Sequence, residues 1–494
     1  LVLFFLSRMN SQFINKYWWL VLVGIPLLST ILHWNVFDKD LQGVHLWRQA
    51  QTQTVIENFA TEGRDILNPK LNNLHYSDGI IRLEFPLMQW TYSWLYEDSG
   101  GSVAASRWAS LCFGLLSVFG IFSLFLGFGF SKLTSALVAW CFNWSPLFYY
   151  YTLNPLPDNM ALMFSMIGLA VLAHSYRKNR LSYFVLFQFL IGIASLIKLP
   201  YILFSLGSVP FLYQQLQQKQ FGILFRAMLQ FVVLLLPCLS WYVWVIPTWG
   251  GAGPLQGVSA DNGFTVMDAL LIIWQTLISI IPELIVNYAA LPFLLVGIYR
   301  FWIKRKILSQ LHLSLLLILL AFIAYYLYEI NIISTVHDYY LFPFLPFLFI
   351  AVGYGLQKML SGKKPIRLLA TGLLLVLPIT AYLRSDSRWR HMGDEKMLRS
   401  NLVELRAASP KNALCVMGND VSTQIFLYTI NRKGWTFSYD ELSATDLHRM
   451  VDKGAEYFYS TSLEVENNPS IRPYLKELIL DTGEMRVYKL AKPQ

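Results

Sequence analysis

Five short groups of residues set acids, cations and aromatic rings into a chain that is otherwise strongly apolar. One runs from Asp38-Lys39-Asp40 to His45-Leu46-Trp47-Arg48-Gln49. The others are Arg82-Leu83-Glu84-Phe85-Pro86, Pro157-Asp158-Asn159, Leu196-Ile197-Lys198-Leu199-Pro200 and His337-Asp338-Tyr339-Tyr340. A carboxylate within reach of a hydroxyl serves as a general base, and Glu84, Asp40 and Asp158 are the candidates. Arg48, Lys198 and Arg82 are candidate phosphate ligands, the arginines offering a two-pronged fork. His45, Trp47, Gln49, His337, Tyr339 and Tyr340 are candidate substrate contacts. Together they suggest group transfer from a lipid-linked phosphate. Each also has a structural reading. Asp158 suits a helix N-cap, Lys198 can snorkel, and Tyr339 and Tyr340 can sit in an aromatic belt. Asp38 and Asp40 can be solvated loop charges, and His337 alone reads as structural.

The elements that must position these residues follow from composition. Of 494 residues, 55% are hydrophobic and only 14% charged, where a soluble domain carries roughly 25%. Mean hydropathy is +0.44. An ordinary soluble enzyme and a disordered chain are both excluded. The apolar runs lack the period-2 alternation of a barrel, so an α-helical polytopic membrane protein is expected. About 11 spans are expected, at 17–34, 103–127, 133–151, 158–175, 181–198, 200–214, 222–247, 282–303, 308–328, 338–357 and 366–383, with 268–281 a further span or a re-entrant helix.

The net charge of +9 fits cytoplasmic loops better than nucleic acid. With Arg8 and Lys16 inside, Lys132, the 177–180 cluster, Lys219 and Arg226, Arg300 with Lys304, Arg305 and Lys306, and the 358–367 cluster all fall on the same side. The five polar groups then share the opposite face. No cleavable leader is expected, because the first apolar run leads into polar sequence without a small-residue cleavage site.

This reading divides the chain into a membrane domain, 1–385, and a small C-terminal α/β domain, 386–494, outside the cytoplasm. The first outer loop, 35–102, belongs to the membrane domain and carries an amphipathic stretch at 44–62. In the tail, strands are expected at 413–417, 457–459 and 485–490 and helices at 421–430 and 443–453, while 475–480 is ambiguous. The four cysteines have no metal spacing and no disulfide framework. No metal or other cofactor is called for; a divalent cation stays open only through the DxD spacing of Asp38-Lys39-Asp40.

These groups, in this order, resemble glycosyltransferase family 39: the bacterial membrane glycosyltransferases related to protein O-mannosyltransferases and to the lipid A aminoarabinose transferase. The resemblance covers roughly 15–385, and 428–435 of the tail is similar to bacterial members. It implies a GT-C-type fold and a polyprenyl-phosphate-linked monosaccharide as donor, with inversion at the anomeric carbon. The acceptor would be an envelope glycan, glycolipid or protein, met at the outer face of a bacterial inner membrane. Glu84 matches the family's acidic residue before a proline, Asp158 an acidic position opening a later span, and Lys198 a basic position linked to donor phosphate. One departure stands out. Where relatives carry an acidic pair in the first loop, this chain has Arg48-Gln49. The base is then Asp40 or Glu84.

Two other classes compete with a transferase. A lipid-linked sugar transporter or flippase would use the same cations without bond cleavage, but no internal repeat of the transporter kind is evident. An inactive scaffold would leave the tail as a glycan-binding module. In a transferase, the tail is expected to shape acceptor choice.

Overall fold

Inside a bilayer every backbone N–H and C=O needs a partner within the chain, so long apolar runs fold as helices. The computed structural model describes residues 17–74, 77–178, 180–249, 257, 263–303, 309–333, 337–391 and 394–493. Among them, eight helices are long and apolar enough to cross a membrane. They are Trp18–Phe37, Val103–Gly127, Pro157–Lys178, Phe221–Trp249, Val266–Val286, Gln310–Tyr328, Asp338–Leu360 and Lys364–Trp389. Leu181–Ile197 and Leu291–Ile303 are shorter apolar helices. The protein is a mostly helical, multi-pass membrane protein with a small sheet near its C-terminus.

Of the eleven expected spans, 133–151 and 200–214 are broken, 282–303 is interrupted after Val286, and 181–198 forms a 17-residue helix short of a full span. The run 133–151 divides into Lys132–Asn143 and Pro146–Tyr151, because Pro146 has no N–H to continue the ladder and Ser145 caps the new helix. The run 200–214 divides into a 3₁₀ segment, Leu199–Ser208, and a helix, Val209–Gln217. The 268–281 stretch lies within Val266–Val286, whose second part, Thr276–Val286, is a π-helix. Arg8, Lys16, Lys304, Arg305 and Lys306, which oriented the array, lie outside the described residues.

The chain forms two compact units. The first comprises 17–38, 83–88 and 107–388 of the described residues. It exposes large apolar side chains, among them Val243 and Trp302, at about three-quarters of their area, as suits a lipid solvent. Helices Leu291–Ile303 and Leu345–Leu360 approach backbone to backbone. A Cβ on Gly297 would fall 1.9 Å from the Ala351 carbonyl oxygen, and one on Gly355 1.8 Å from that of Phe293. Small residues at such a contact replace the hydrophobic drive that lipid removes.

Proline breaks are repaired by side chains. Pro378 cannot donate to Leu374, and the Trp140 indole N–H takes that carbonyl at 2.8 Å. Asn287, at a positive φ of 80°, closes the π-helix. Its amide donates to the Trp144 carbonyl (2.9 Å) and the Leu377 carbonyl (3.2 Å), and its oxygen accepts from Thr380 (2.8 Å).

The second unit comprises 39–82, 89–106 and 389–493 of the described residues. Its five-stranded sheet has the order β2-β1-β3-β5-β4, with β1 Leu414–Gly418, β2 Lys433–Thr436, β3 Ala455–Ser460, β4 Leu475–Asp481 and β5 Arg486–Leu490. β1 runs parallel to β2 and β3, while β5 is antiparallel to β3 and β4. Buried on both sides, β1 reads as a continuous apolar run. Val416 packs with Trp435, Phe458 and Leu447 on one face, and Cys415 and Met417 with Phe426, Leu427 and Tyr459 on the other. The amphipathic stretch is the helix Leu46–Glu62, whose Val55 and Phe59 pack on Leu71.

Gly355→Val should force the two close-packed helices apart at a cost of about 2 kcal/mol, read as a lower melting temperature in detergent. Gly372→Val, where nothing lies within 4 Å of the new Cβ, should melt near the parent.

Candidate active site

Three separate backbone breaks in the first unit deliver three ionisable side chains to one place. Helix Leu181–Ile197 stops ahead of Pro200, leaving Lys198 extended at φ −149° and ψ 108°. The carbonyl that Pro200 cannot satisfy, that of Leu196, accepts from the Tyr242 hydroxyl at 3.3 Å. The neighbouring Trp241 donates to the Leu83 carbonyl at 3.0 Å and meets Phe85 edge-on at 5.0 Å. Trp241 therefore grips the chain on both sides of Glu84.

Asp158 opens helix Pro157–Lys178, where Pro is favoured at the first position and a carboxylate faces the positive end of the helix dipole. The preceding turn is locked from within. Arg107, fully buried, donates to the Leu153 carbonyl (3.0 Å) and to Asn154 Oδ1 (3.3 Å). Asn159 donates to the carbonyls of Tyr151 (2.8 Å) and Asn154 (2.9 Å).

Lys198 Nζ lies 3.6 Å from Asp158 Oδ2 and 3.9 Å from Glu84 Oε1, with all three side chains almost wholly buried. Both separations exceed a hydrogen bond, so the ammonium is held by charge rather than by directed N–H contacts. Its remaining side faces aromatic rings, with Tyr340 at 4.6 Å and Tyr339 at 5.7 Å from ring centre to Nζ. His337 Nδ1 is 3.0 Å from the Tyr339 hydroxyl, and its ring lies 5.0 Å from that of Tyr340. Glu84, Asp158, Lys198, His337, Tyr339 and Tyr340 thus form one connected group.

A second ion pair fixes the segment that carries these rings. Arg388 donates to Asp338 Oδ2 at 2.7 Å and to the Tyr151 hydroxyl at 3.0 Å. Tyr151 also donates to Asp338 Oδ1. Sequence reasoning did not single out Arg388 or Arg107. Arg388 reads as one of several arginines at a span end, whereas Arg107, inside an apolar run, carried a usable signal.

An apolar groove of about 550 Å³ lies in the same unit between the helices around 273–298, 312–326 and 344–351. Leu341 and Phe344 also line it, on the 3₁₀ segment that bears Tyr339 and Tyr340.

The remaining sequence candidates belong to the second unit. Asp40 accepts from Arg399 (2.8 Å), from the Tyr428 hydroxyl (2.6 Å) and from its neighbour Leu41 N–H (2.8 Å). Burial pushes its carboxyl up, but the Arg399 guanidinium and Tyr428 outweigh this and hold it below the usual carboxylate range. Arg48 donates to Gln51, and Arg82 to Asn68 and to the Leu67 carbonyl (3.1 Å). His45 opens helix Leu46–Glu62 in a left-handed conformation, and Gln49 donates to the Val44 carbonyl at 2.9 Å. Trp47 lines a cleft in that unit. Among the described residues, no group of three or more His, Cys, Asp or Glu side chains is arranged to hold a metal ion.

This fold is that of the GT-C membrane glycosyltransferases, the class the sequence resembles. Residues 84–242, which hold Glu84, Asp158 and Lys198, match the family model of dolichyl-phosphate-mannose-protein mannosyltransferase. ArnT from Cupriavidus metallidurans bound to undecaprenyl phosphate is similar at a TM-score of 0.64 and 12% identity, over 97% of this chain and 100% of that one. The Archaeoglobus fulgidus oligosaccharyltransferase in complex with Zn and sulfate gives 0.58 at 14% identity, over 89% and 68%. Arabinofuranosyltransferase AftD from Mycobacteria gives 0.56 at 11% identity, over 99% and 40%. No curated protein sequence matches the chain.

Arg388→Ala leaves the Asp338 carboxylate buried without its cation and should cost about 3 kcal/mol, seen as a lower melting temperature that added Asp338→Asn largely restores. In the second unit, burial pushes the Glu57 carboxyl up to about 7 against the hydrogen bond from Gln53. The unfolded chain releases that proton near 4.5, so this group costs stability as pH rises from about 4.5 to about 7. Glu57→Gln should flatten that part of the pH–stability curve.

Proposed function

We propose that the protein transfers a glycosyl group from a polyprenyl-phosphate-linked donor to an acceptor hydroxyl at the extracytoplasmic face of a bacterial inner membrane. The observation that carries this reading is Lys198 held loosely between Glu84 and Asp158, in the same unit as an apolar groove. The match of 84–242 and the shared fold with ArnT bound to undecaprenyl phosphate support it.

In this reading the prenyl chain occupies the groove and the phosphate lies by Lys198. Of the donor-phosphate candidates, Arg48 and Arg82 already serve protein acceptors, so Lys198 is the principal cation. Glu84 accepts the acceptor's hydroxyl proton while that oxygen attacks the anomeric carbon. The bond from that carbon to the phosphate oxygen breaks, the configuration inverts, and polyprenyl phosphate leaves with the electron pair. Lys198 stabilises the growing charge on the phosphate, an effect strongest in a dry site. Asp158 holds Lys198 in place, and Tyr339, Tyr340 and His337 wall the sugar. Asp40, clamped by Arg399 and Tyr428, orders the first loop rather than acting as base. The acceptor is an envelope glycan, glycolipid or protein.

The test is turnover of a labelled polyprenyl-phosphate sugar by the purified protein in vesicles with an envelope acceptor preparation, read as release of polyprenyl phosphate. Glu84→Gln should slow release by roughly 10²–10⁴-fold in a variant that still folds and inserts, with a melting temperature lowered only as far as the weakened pairing of Lys198 requires. Release at the parent rate would remove Glu84 from the role of base.

A further inference from the structure

Glu84 sits on a short piece of backbone, 83–88, that belongs to the first unit, while the chain on either side of it, 39–82 and 89–106, belongs to the second. Both feet of that loop rest on one apolar cluster: Ile81 and Trp90 pack against Val55, Phe59 and Leu71. The first foot is also hydrogen-bonded. Ile81 N–H donates to the Pro69 carbonyl at 2.9 Å and Leu71 N–H to the Gly79 carbonyl at 2.8 Å, so 69–71 and 79–81 pair antiparallel. Gly79 allows this approach at φ 82°, where a Cβ would fall 2.6 Å from the Leu71 carbonyl oxygen. Arg82, two residues before Glu84, donates to the Leu67 carbonyl (3.1 Å) and to Asn68.

The pairing continues into the C-terminal domain. Residues 72–74 run beside β2: Gly434 N–H donates to the Asn72 carbonyl at 3.0 Å, and Leu74 N–H to the Gly434 carbonyl at 2.7 Å. Asn73 fastens this edge. It is almost fully buried, and its amide donates to Thr436 Oγ1 on β2 (3.1 Å) and to the Thr423 carbonyl (3.2 Å). Leu74 packs on the core that holds Val416, Trp435 and Phe458. Two backbone bonds beside a glycine specify register weakly, whereas a buried amide with two acceptors specifies it well. A hydrogen-bonded route thus leads from β2 through 72–74, 69–71 and 79–81 to within three residues of Glu84.

We propose that the C-terminal domain positions Glu84 through this strap, with Asn73 as the positioning residue that sets its register. The effect on catalysis rests on the transferase reading above; the mechanical link to 83–88 does not. A base displaced by about 1 Å can lose on the order of 10²-fold in rate while the donor phosphate still meets Lys198. The tail therefore contributes to the chemical step as well as to acceptor choice.

Hydrogen exchange of the full chain in nanodiscs reads the strap directly. Asn73→Ala should speed exchange over 79–88 roughly tenfold and leave β1, β3 and helix Pro157–Lys178 at the parent's rates. With a polyprenyl-phosphate sugar and an envelope acceptor preparation, the same variant should lower kcat roughly tenfold at unchanged donor KM. Arg82→Ala, at the foot nearest Glu84, should do likewise, whereas loss of a phosphate ligand would raise the donor KM. Ser443→Ala is the control. It removes the cap of helix Ala444–Asp452, where its hydroxyl serves Asp446, and should leave both readings unchanged. The proposal is overturned if exchange over 79–88 ignores Asn73→Ala, or if it rises while kcat holds. It is equally overturned if the loss falls on donor KM, or if Ser443→Ala lowers kcat as much. Exchange needs neither donor nor turnover. A parent that transfers nothing would sink the transferase reading alone, and exchange that ignores Asn73 would sink the strap alone.

Discussion

An ammonium group buried in a membrane-embedded unit persists as a charge only where anions surround it. Lys198 meets that condition through Glu84 and Asp158, and the demand reaches well beyond the three side chains. Each carboxylate arrives on a different piece of backbone and must be held against its own preference for water. The folding of the first unit around 83–88, 151–159 and 196–200 can be read as the means of meeting this electrostatic requirement.

The supports are independent. Trp241 and Tyr242, consecutive on one helix, hold the segments bearing Glu84 and Lys198. Arg107 and Asn159 hold the turn ahead of Asp158 from inside the unit. Arg388 and Tyr151 hold Asp338, and with it the rings that cover Lys198. Each support uses a polar group whose loss would leave another buried polar group without its partner, which makes such networks costly to disturb. The same rigidity keeps the acids and the cation at ion-pair distance instead of letting them collapse into contact, leaving the ammonium able to turn toward an incoming anion.

Much of this was legible before any coordinates. Lys198 and Asp158 stood out because ionisable residues in apolar runs are expensive. Helices 103–127 and 157–178 followed from their apolar runs. Other parts left weak traces. β2 is four residues long and contains Gly434, whose φ of 148° and contact with Cys415 backbone leave no room for a Cβ. β4 lies at the sheet edge with Lys476 and Glu477 exposed, so its pattern is not that of a buried strand. The partners of Asp40 could not be read at all, since Arg399 and Tyr428 lie more than 350 residues away along the chain. Helix breaks at Ser145 and Asn287 change the span count without changing which residues are apolar, so hydropathy alone could not see them.

Asn287 bears on how the groove meets a long hydrocarbon. Its side chain fastens one end of the π-helical wall to two other helices, using both amide hydrogens on main-chain oxygens. That wall cannot ratchet past its neighbours without breaking hydrogen bonds in a medium that offers no substitutes. Under the proposed function, accommodation of prenyl chains of differing length or saturation therefore falls to rotamer changes among leucines, isoleucines and phenylalanines. The backbone there behaves as a fixed rail.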